Sequence, residues 1–294
     1  MRDFDLTVIG GGAGGLNVAS GAVQLGARVA LIEKNKLGGD CLYYGCVPTK
    51  ALIHSAKIAS LMKRSKEFGL NDTNISFDFK NIMNHMREVI SKVGEHDDPK
   101  RFEKMVQILP REDKEIADAL ELILKEEGID IYTCVAEYQA GLVVANALIP
   151  FIKRKANYRV VPWVTYTDPE LGRVGLTEDE ARQRYKHVKV YRYDMKDLDR
   201  AVIEGEGKGM IKIVCTKKGE ILGAHVLALQ GGEILHEFVL AMQNNLGVKS
   251  ITNTIHVYPT LSQAIRRTTN KYYAEKIFSG WIPKFTKKLI RMIG

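Results

Sequence analysis

Two cysteines five residues apart, Cys41 and Cys46, have the residue type and spacing that suit redox chemistry. Residues five apart on a regular helix point in different directions, so their sulfurs bond only across a distorted turn, which the flanking glycines make feasible. A helix N-terminus would lower a thiol pKa and favour the thiolate. A metal site is not expected, because the nearest histidine is His54 and neither Cys134 nor Cys215 belongs to a second close pair. The pattern therefore predicts a catalytic pair, with two unrelated buried cysteines as the alternative.

The elements that must position this pair begin with a glycine-rich turn. An apolar strand pattern leads into Gly10, Gly12 and Gly15 in GxGxxG spacing, a helical pattern follows, and a second strand pattern ends at Glu33. Gly10 allows the tight turn, Gly12 lets the backbone approach a pyrophosphate, and Gly15 lets helix and strand pack closely. The helix N-terminus would offer N–H groups to the phosphates. Because Glu33 would bind a ribose diol and repel a 2′-phosphate, the turn predicts a site for FAD or NAD rather than NADP.

The segment GGDCLYYGCVPTK at residues 38–50, which follows GGGAGG and a glutamate, resembles the FAD segment of the pyridine nucleotide-disulfide oxidoreductases, a family with dihydrolipoamide dehydrogenase-like and mercuric reductase-like members. The resemblance implies FAD as cofactor and NAD(P)H as electron donor. It makes Cys41 the interchange thiol that meets the substrate, Cys46 the thiol beside the flavin, and Lys50 a residue near the reactive edge of the flavin. Asp40 departs from the family, in which threonine is commoner, so the pyrophosphate contacts are expected to differ. The implied cofactor-binding residues are Gly10, Gly12, Ala13, Gly14, Gly15, Glu33, Lys34, Gly39, Asp40, Cys46 and Lys50.

Residues 164–181, VTYTDPELGRVGLTEDEA, resemble the beginning of the family's dimerisation domain. Within them, Thr177 and Glu180 form a capping box that predicts the start of a helix. Strand and helix patterns then alternate to about residue 245. The alternation predicts a compact α+β domain, and the resemblance implies a homodimer formed through it.

Residues 255–264, IHVYPTLSQA, resemble the family's terminal motif, in which a histidine precedes Pro-Thr and a glutamate follows. In the family that histidine is acid and base for the interchange thiol of the other subunit. Here Tyr258 takes the histidine position and Gln263 the glutamate position. A phenol with a pKa of about 10 stays mostly protonated at neutral pH, so dihydrolipoamide and glutathione chemistry is less expected. His256 is the other candidate for the base, and its alternative interpretation is a surface or interface histidine.

The second GxGxxG of the family's inserted NAD(P) domain is missing from the sequence, although the helix-then-strand pattern of 113–133 looks like a fragment of that domain. The resemblance breaks near 105–106 and near 134–135. The sequence therefore represents parts of a longer protein joined in family order, or else an internal deletion, which is less favoured because it would expose unpaired strand edges. The predicted organisation is the first part of an FAD-binding domain at 1–105, a remnant of an NAD-binding domain at 106–134, a returning helix of the FAD-binding domain at 135–160, a dimerisation domain at 161–270 and a basic amphipathic tail at 271–294. The predicted fold class is α/β, with a Rossmann-type, three-layer FAD-binding domain and a C-terminal α+β dimerisation domain.

Charge and hydropathy limit the partners. The net charge of +8 is spread along the chain except in the last two dozen residues, so nucleic-acid binding is not expected. No secretory signal is visible, which predicts a cytoplasmic location, and no run approaches the roughly 20 apolar residues that span a bilayer. The basic amphipathic pattern of 278–294 suits either peripheral contact with an anionic membrane or packing on its own domain or dimer partner.

These patterns lead to one main hypothesis and one alternative. The main hypothesis is an FAD-dependent oxidoreductase that passes electrons from NAD(P)H through flavin to a Cys41–Cys46 disulfide and on to a small disulfide, a soft metal ion or a quinone-like acceptor. The alternative is a non-catalytic flavin-binding or dimerising, membrane-associated protein with a degenerate active site. Tyr258, Gln263 and the missing glycine-rich loop favour the alternative, whereas Cys41, Cys46 and Lys50 oppose it.

Overall fold

The computed structural model describes residues 4–71, 74–97, 107–109, 136–151 and 153–278. The chain divides into two compact units, Met1–Ala156 and Asn157–Gly294. Both units combine helices with a sheet, which confirms the predicted α/β class. None of the helices in the described ranges is long and apolar enough to cross a membrane.

The first unit is built on a small parallel sheet. Its strands lie in the order β1-β2-β3 and pair in parallel, with Leu6 opposite Val29. The apolar face of the first helix packs on this sheet through Leu16, Ala19 and Ala22, at the spacing expected of a helix. The elements in chain order are β1 (Leu6–Ile9), α1 (Ala13–Gln24), β2 (Val29–Ile32), α2 (Gly39–Tyr43), α3 (Cys46–Lys63), α4 (Phe79–Gly94), β3 (Gln107–Leu109) and α5 (Ala136–Leu148).

Strand β3 comes from the segment that we interpret as a remnant of an NAD-binding domain. It pairs with β2 and so belongs to the sheet of the first unit. The rest of 106–134, including its helix-then-strand pattern, lies outside the described residues. The origin of this segment therefore stays a prediction.

Helix α5 packs along α1 through small residues. A Cβ added at Gly14 would lie 3.2 Å from the Cβ of Ala136, and one added at Gly21 would lie 3.3 Å from Val144. Two helices approach this closely only where side chains are small. The helix that we predict to return to the FAD-binding domain therefore packs on the first helix of the same unit.

The second unit is a five-stranded antiparallel sheet with helices. The strand order is β4-β5-β8-β7-β6. Its core joins Ile211, Ile213, Leu235 and Phe238, all fully buried, because alternate strand residues and one helical face point the same way. The elements in chain order are β4 (Pro162–Thr165), β5 (Glu170–Gly175), α6 (Glu178–Arg184), β6 (Val188–Asp194), α7 (Asp199–Ile203), β7 (Met210–Thr216), β8 (Ile221–Ala228), α8 (Gly231–Gln243), α9 (Val248–Asn253) and α10 (Gln263–Phe278).

The capping box predicted at the start of a helix is present at α6. The Thr177 hydroxyl accepts a hydrogen bond from the Glu180 N–H at 3.2 Å, and the Glu180 carboxylate accepts one from the Thr177 N–H at 2.7 Å, which is the predicted capping box.

The predicted tail begins at 271, but α10 continues to Phe278 and buries Tyr272 in the core. Residues 279–294, which carry most of the basic amphipathic pattern, lie outside the described residues.

Candidate functional site

The glycine-rich turn connects β1 to α1 as the GxGxxG spacing predicts. Gly10 has a φ of 97°, a conformation that favours glycine, and its N–H donates to the Ile32 carbonyl at 2.7 Å. A Cβ added at Gly15 would lie 1.8 Å from the Gly10 carbonyl oxygen. Any larger residue at Gly15 would therefore separate α1 from the turn.

A second glycine-rich segment lies against the first. Gly39 begins α2 with a φ of 61°, and a Cβ added there would lie 3.0 Å from the Gly12 Cα. Gly12 is the N-cap of α1, and no side chain caps that helix end. The first-turn N–H groups of α1, including those of Ala13 and Gly14, have no partner within the helix and are available to an anion. This all-backbone cradle fits the pyrophosphate of a dinucleotide.

Glu33 lies at the end of β2 and holds the turn. Its carboxylate accepts hydrogen bonds from the Gly11 N–H and, at 2.8 Å, from the Asn35 N–H. Each carboxylate oxygen has a further lone pair, so both contacts are compatible with the predicted bond to a ribose hydroxyl. Lys34, which follows Glu33, and Asp40 in the first turn of α2 both have exposed side chains.

A break between two helices brings the cysteine pair together. Helix α2 ends where the N–H groups of Tyr44 and Gly45 both donate to the Asp40 carbonyl, at 2.9 and 2.8 Å. Helix α3 then starts at Cys46. A Cβ added at Gly45 would lie 3.3 Å from the Asp40 carbonyl oxygen, which is a tight contact, so glycine suits the close turn of the chain. The result is that the two thiols, which form no disulfide in the structure, lie close enough for Cys46 to influence the pKa of Cys41.

The thiol environment corrects one sequence prediction. Burial raises the pKa of the Cys41 thiol to about 11, and the Cys46 thiol adds to the rise. The Cys46 backbone N–H and the Lys50 charge both oppose it. The expectation of a lowered thiol pKa is therefore wrong for Cys41. The physical reason is that Cys41 lies half-buried inside the short helix α2, whereas the first position of α3 belongs to Cys46, which is exposed.

The other predicted residues lie in the second unit. Tyr258 is exposed and Gln263, at the start of α10, is buried. The His256 side chain is buried beside α8, where it contacts Glu237. Glu237 was missed from the sequence because it lies 19 residues before His256 and belongs to no shared local motif. In the described residues no group of three or more His, Cys, Asp or Glu side chains is placed to hold a metal ion.

Comparison with known proteins agrees with this geometry. The family model for pyridine nucleotide-disulphide oxidoreductases matches residues 4–104, and the model for the dimerisation domain of the same family matches 161–269. Together these matches cover more than half of the chain. The chain belongs to the pyridine nucleotide-disulphide oxidoreductase family.

Individual relatives show how much of the family's length is present. The dihydrolipoyl dehydrogenase of Bacillus subtilis is 22% identical over 457 positions, which cover 90% of this chain and 96% of that protein. Because this chain has 294 residues, that alignment crosses long stretches without a counterpart here. The mercuric reductase of Staphylococcus aureus is 32% identical over 136 residues, 46% of this chain and 25% of that protein. The dihydrolipoyl dehydrogenase of Chlorobaculum parvum is 45% identical over 89 residues, 30% of this chain and 19% of that protein.

Proposed function

We propose that the chain is the flavin- and thiol-bearing part of an FAD-dependent oxidoreductase. Electrons from NAD(P)H would reach the Cys41–Cys46 pair and then a small disulfide, a soft metal ion or a quinone-like acceptor. One observation carries the proposal: Gly39, which contacts Gly12 at the N-terminus of α1, also begins the helix that contains Cys41. The anion cradle and the thiol pair are therefore parts of one continuous structure.

The residues of the first unit have separate tasks in this proposal. The backbone of Gly10, Gly12 and Gly39 would hold the pyrophosphate, and Glu33 the ribose. When bound, the flavin would supply a two-electron connection between a nicotinamide donor and the cysteine pair. The Cys41–Cys46 disulfide takes up two electrons and two protons to become two thiols.

Lys50 contributes a positive charge to the thiol pair. It follows Cys46 by about one turn of α3, and its charge favours the Cys41 thiolate. Burial and the Cys46 thiol raise the pKa of Cys41, whereas the Cys46 backbone acts in the same direction as Lys50. We therefore assign Lys50 the task of keeping part of the Cys41 population available for attack on an acceptor.

A homodimer completes the proposal. The second unit matches the family's dimerisation domain, which supports self-association through this unit.

A competing function is a non-catalytic flavin-binding or dimerising protein. Tyr258 and Gln263 favour it, because the histidine and glutamate of the family motif are both replaced.

Absorption spectroscopy separates the two functions. We expect the purified full chain to show flavin bands and, after anaerobic reduction with NADH or dithionite, a long-wavelength shoulder from a thiolate next to the flavin. Cys46→Ser should remove the shoulder and keep the flavin, and Cys215→Ser, which changes a buried cysteine of the other unit, should remove neither. A flavin-containing protein without the shoulder would support the non-catalytic function. A colourless protein would contradict the oxidoreductase and leave only the dimerising form of the alternative.

A further inference from the structure

One transverse row of the second unit's sheet carries basic side chains on neighbouring strands. The residues directly opposite one another are, in order, Arg173 on β5, His225 on β8, Lys212 on β7 and Arg192 on β6. Ile211 and Ile213, which flank Lys212, belong to the core, so this row lies on the other face of the sheet, which we call the outer face. Like charges directly opposite one another destabilise a sheet, so the row needs carboxylates beside it.

Helix α6 supplies a carboxylate that three cations share. Lys212 and Arg192 of the row both lie 2.8 Å from Oε2 of Glu178. Arg182, one turn later on α6, lies 2.7 Å from Oε1 of the same side chain. Hydrogen bonds from Lys212 and Arg182 lower the pKa of the Glu178 carboxyl to about 2, so this group is charged at neutral pH. One carboxylate therefore holds three cations close to one another.

The positive charge around Glu178 exceeds the negative charge. Three cations and one carboxylate leave an excess of two positive charges. Asp179, the next residue on α6, is exposed and is not a partner of these three side chains within the described residues. Elsewhere in this unit arginine and carboxylate pair one to one, as Arg200 and Glu204 do on α7. The excess at Glu178 is therefore a local feature rather than a general property of a basic chain.

Arg182 and Arg192 keep hydrogen-bond donors for a further acceptor. A guanidinium group has five N–H donors. Within the part of the chain that the structure describes, Arg182 uses its Nε and Nη2 on Glu178, and Arg192 uses its Nη2. The two side chains are 54% and 50% exposed, so both can be reached from solvent. They can therefore bind a second anion without giving up Glu178.

We propose that Arg182, Arg192 and Lys212 bind the phosphate group of a small phosphomonoester on the outer face of the second unit. Such a group carries nearly two negative charges at neutral pH, which matches the excess of two positive charges. Guanidinium groups also donate parallel pairs of hydrogen bonds to phosphate oxygens. A carboxylate or a phosphodiester carries one charge and would leave the cluster positive. The site shares no residue with the dinucleotide cradle, so it does not depend on the proposed function.

Protection of arginine from phenylglyoxal tests binding residue by residue. We expect methyl phosphate, added to the full chain at pH 8, to slow modification of Arg182 and Arg192 and to leave Arg200 unchanged, as measured by peptide mass spectrometry. Sodium chloride at the same ionic strength should not protect them, which excludes simple screening. Dimethyl phosphate, a diester with one charge, should protect at a concentration about tenfold higher. Equal protection of Arg200, or none beyond that given by chloride, would overturn the proposal.

Substitutions at α6 separate a phosphate site from a purely structural ion-pair cluster. Glu178→Gln removes a negative charge and keeps a hydrogen-bond acceptor, so methyl phosphate should protect Arg192 at a concentration about fivefold lower. Asp179→Asn changes the net charge of the chain equally and is the matched control, with a smaller expected effect. Lys212→Met should raise the protecting concentration by about tenfold, because a charged partner is lost.

The comparison of the two acidic variants decides between a site and a general charge effect. Equal changes in Glu178→Gln and Asp179→Asn would mean that affinity follows net charge alone and would overturn the proposal. Circular dichroism shows whether each variant is folded, and protection of the unchanged chain decides the proposal if Glu178→Gln is not. None of these measurements needs flavin, so a chain that binds no flavin would contradict the proposed function and leave the phosphate site standing.

Discussion

Lys50 is the one residue whose charge opposes the rise of the Cys41 pKa. Burial and the neighbouring Cys46 thiol raise this pKa to about 11, so at pH 8 most Cys41 is protonated and its reactivity should increase with pH up to that value. Removing Lys50 removes one of the two contributions that lower this pKa, so the pKa should rise further. Removing the Cys46 side chain should lower the pKa of Cys41, because that side chain contributes to the rise.

Alkylation of the reduced full chain by iodoacetamide at pH 8 measures these changes in the Cys41 pKa, because the thiolate is the form that reacts. We expect Lys50→Met to slow alkylation of Cys41 by less than about tenfold, since one pKa unit corresponds to tenfold and the Lys50 charge is a minor cause. Cys46→Ala should accelerate it. Lys57→Met, farther along α3, serves as the control for a lost positive charge. Peptide mass spectrometry distinguishes the two cysteines, and equal rates for Lys50→Met and Lys57→Met would contradict the assignment.

At the scale of elements, we expect substitution by alanine to have opposite effects at two glycines in helices of the first unit. Gly15→Ala places a Cβ 1.8 Å from the Gly10 carbonyl oxygen, so α1 must move away from the turn. We expect a loss of about 3 kcal/mol or more in the free energy of unfolding, since backbone atoms cannot give way as side chains do. Gly141→Ala on α5 meets no atom within 4 Å and should stabilise by about 0.5–1 kcal/mol through helix propensity.

Urea unfolding followed by circular dichroism compares the two glycine variants. Flavin retention should be lost in Gly15→Ala and unchanged in Gly141→Ala, because only the first alters the anion cradle. A Gly15→Ala protein as stable as the wild type would mean that α1 and the turn are not packed as described.

Local sequence patterns predicted the elements that local interactions define. The glycines at 10, 12 and 15 and the pair Thr177 and Glu180 each form structure within a few residues, so their spacing was sufficient. The spacing of Cys41 and Cys46 predicted a redox pair, and that role stays a prediction. The raised pKa of Cys41 could not be predicted, because burial is a property of the folded chain. Glu237 could not be found, because its contact with His256 joins α8 to a loop that comes after the next helix. The α/β class was predictable, because the hydrophobic periodicity of each helix and strand is visible within that element. The pairing of β3 with β2 was not, because the two strands are far apart in the sequence and the fold of the residues between them brings them together.

At the scale of the whole molecule, the match to a dimerisation domain and the exposed apolar side chains of the second unit lead to the same prediction. Ile255 and Val257 are 90% and 73% exposed, and they flank His256, which anchors them beside α8. On that helix Leu240, about one turn after Glu237, is also exposed. Apolar groups placed together on a surface are typical of an interface, and burying one such side chain contributes about 1.5–3 kcal/mol.

We therefore expect the full chain to form a dimer whose interface includes Ile255. Ile255→Asp should raise the dissociation constant by about a hundredfold or more, because it removes apolar burial and places a charge in a dry contact. Val202→Asp on α7 is the control, since Val202 is also an exposed apolar residue of the second unit but belongs to a different element. Sedimentation velocity over a range of concentrations gives both constants. If the two variants dissociate equally, the segment around His256 is not at the interface. If only Ile255→Asp dissociates, the interface includes this segment, and the apolar side chains beside His256 contribute to the stability of the dimer.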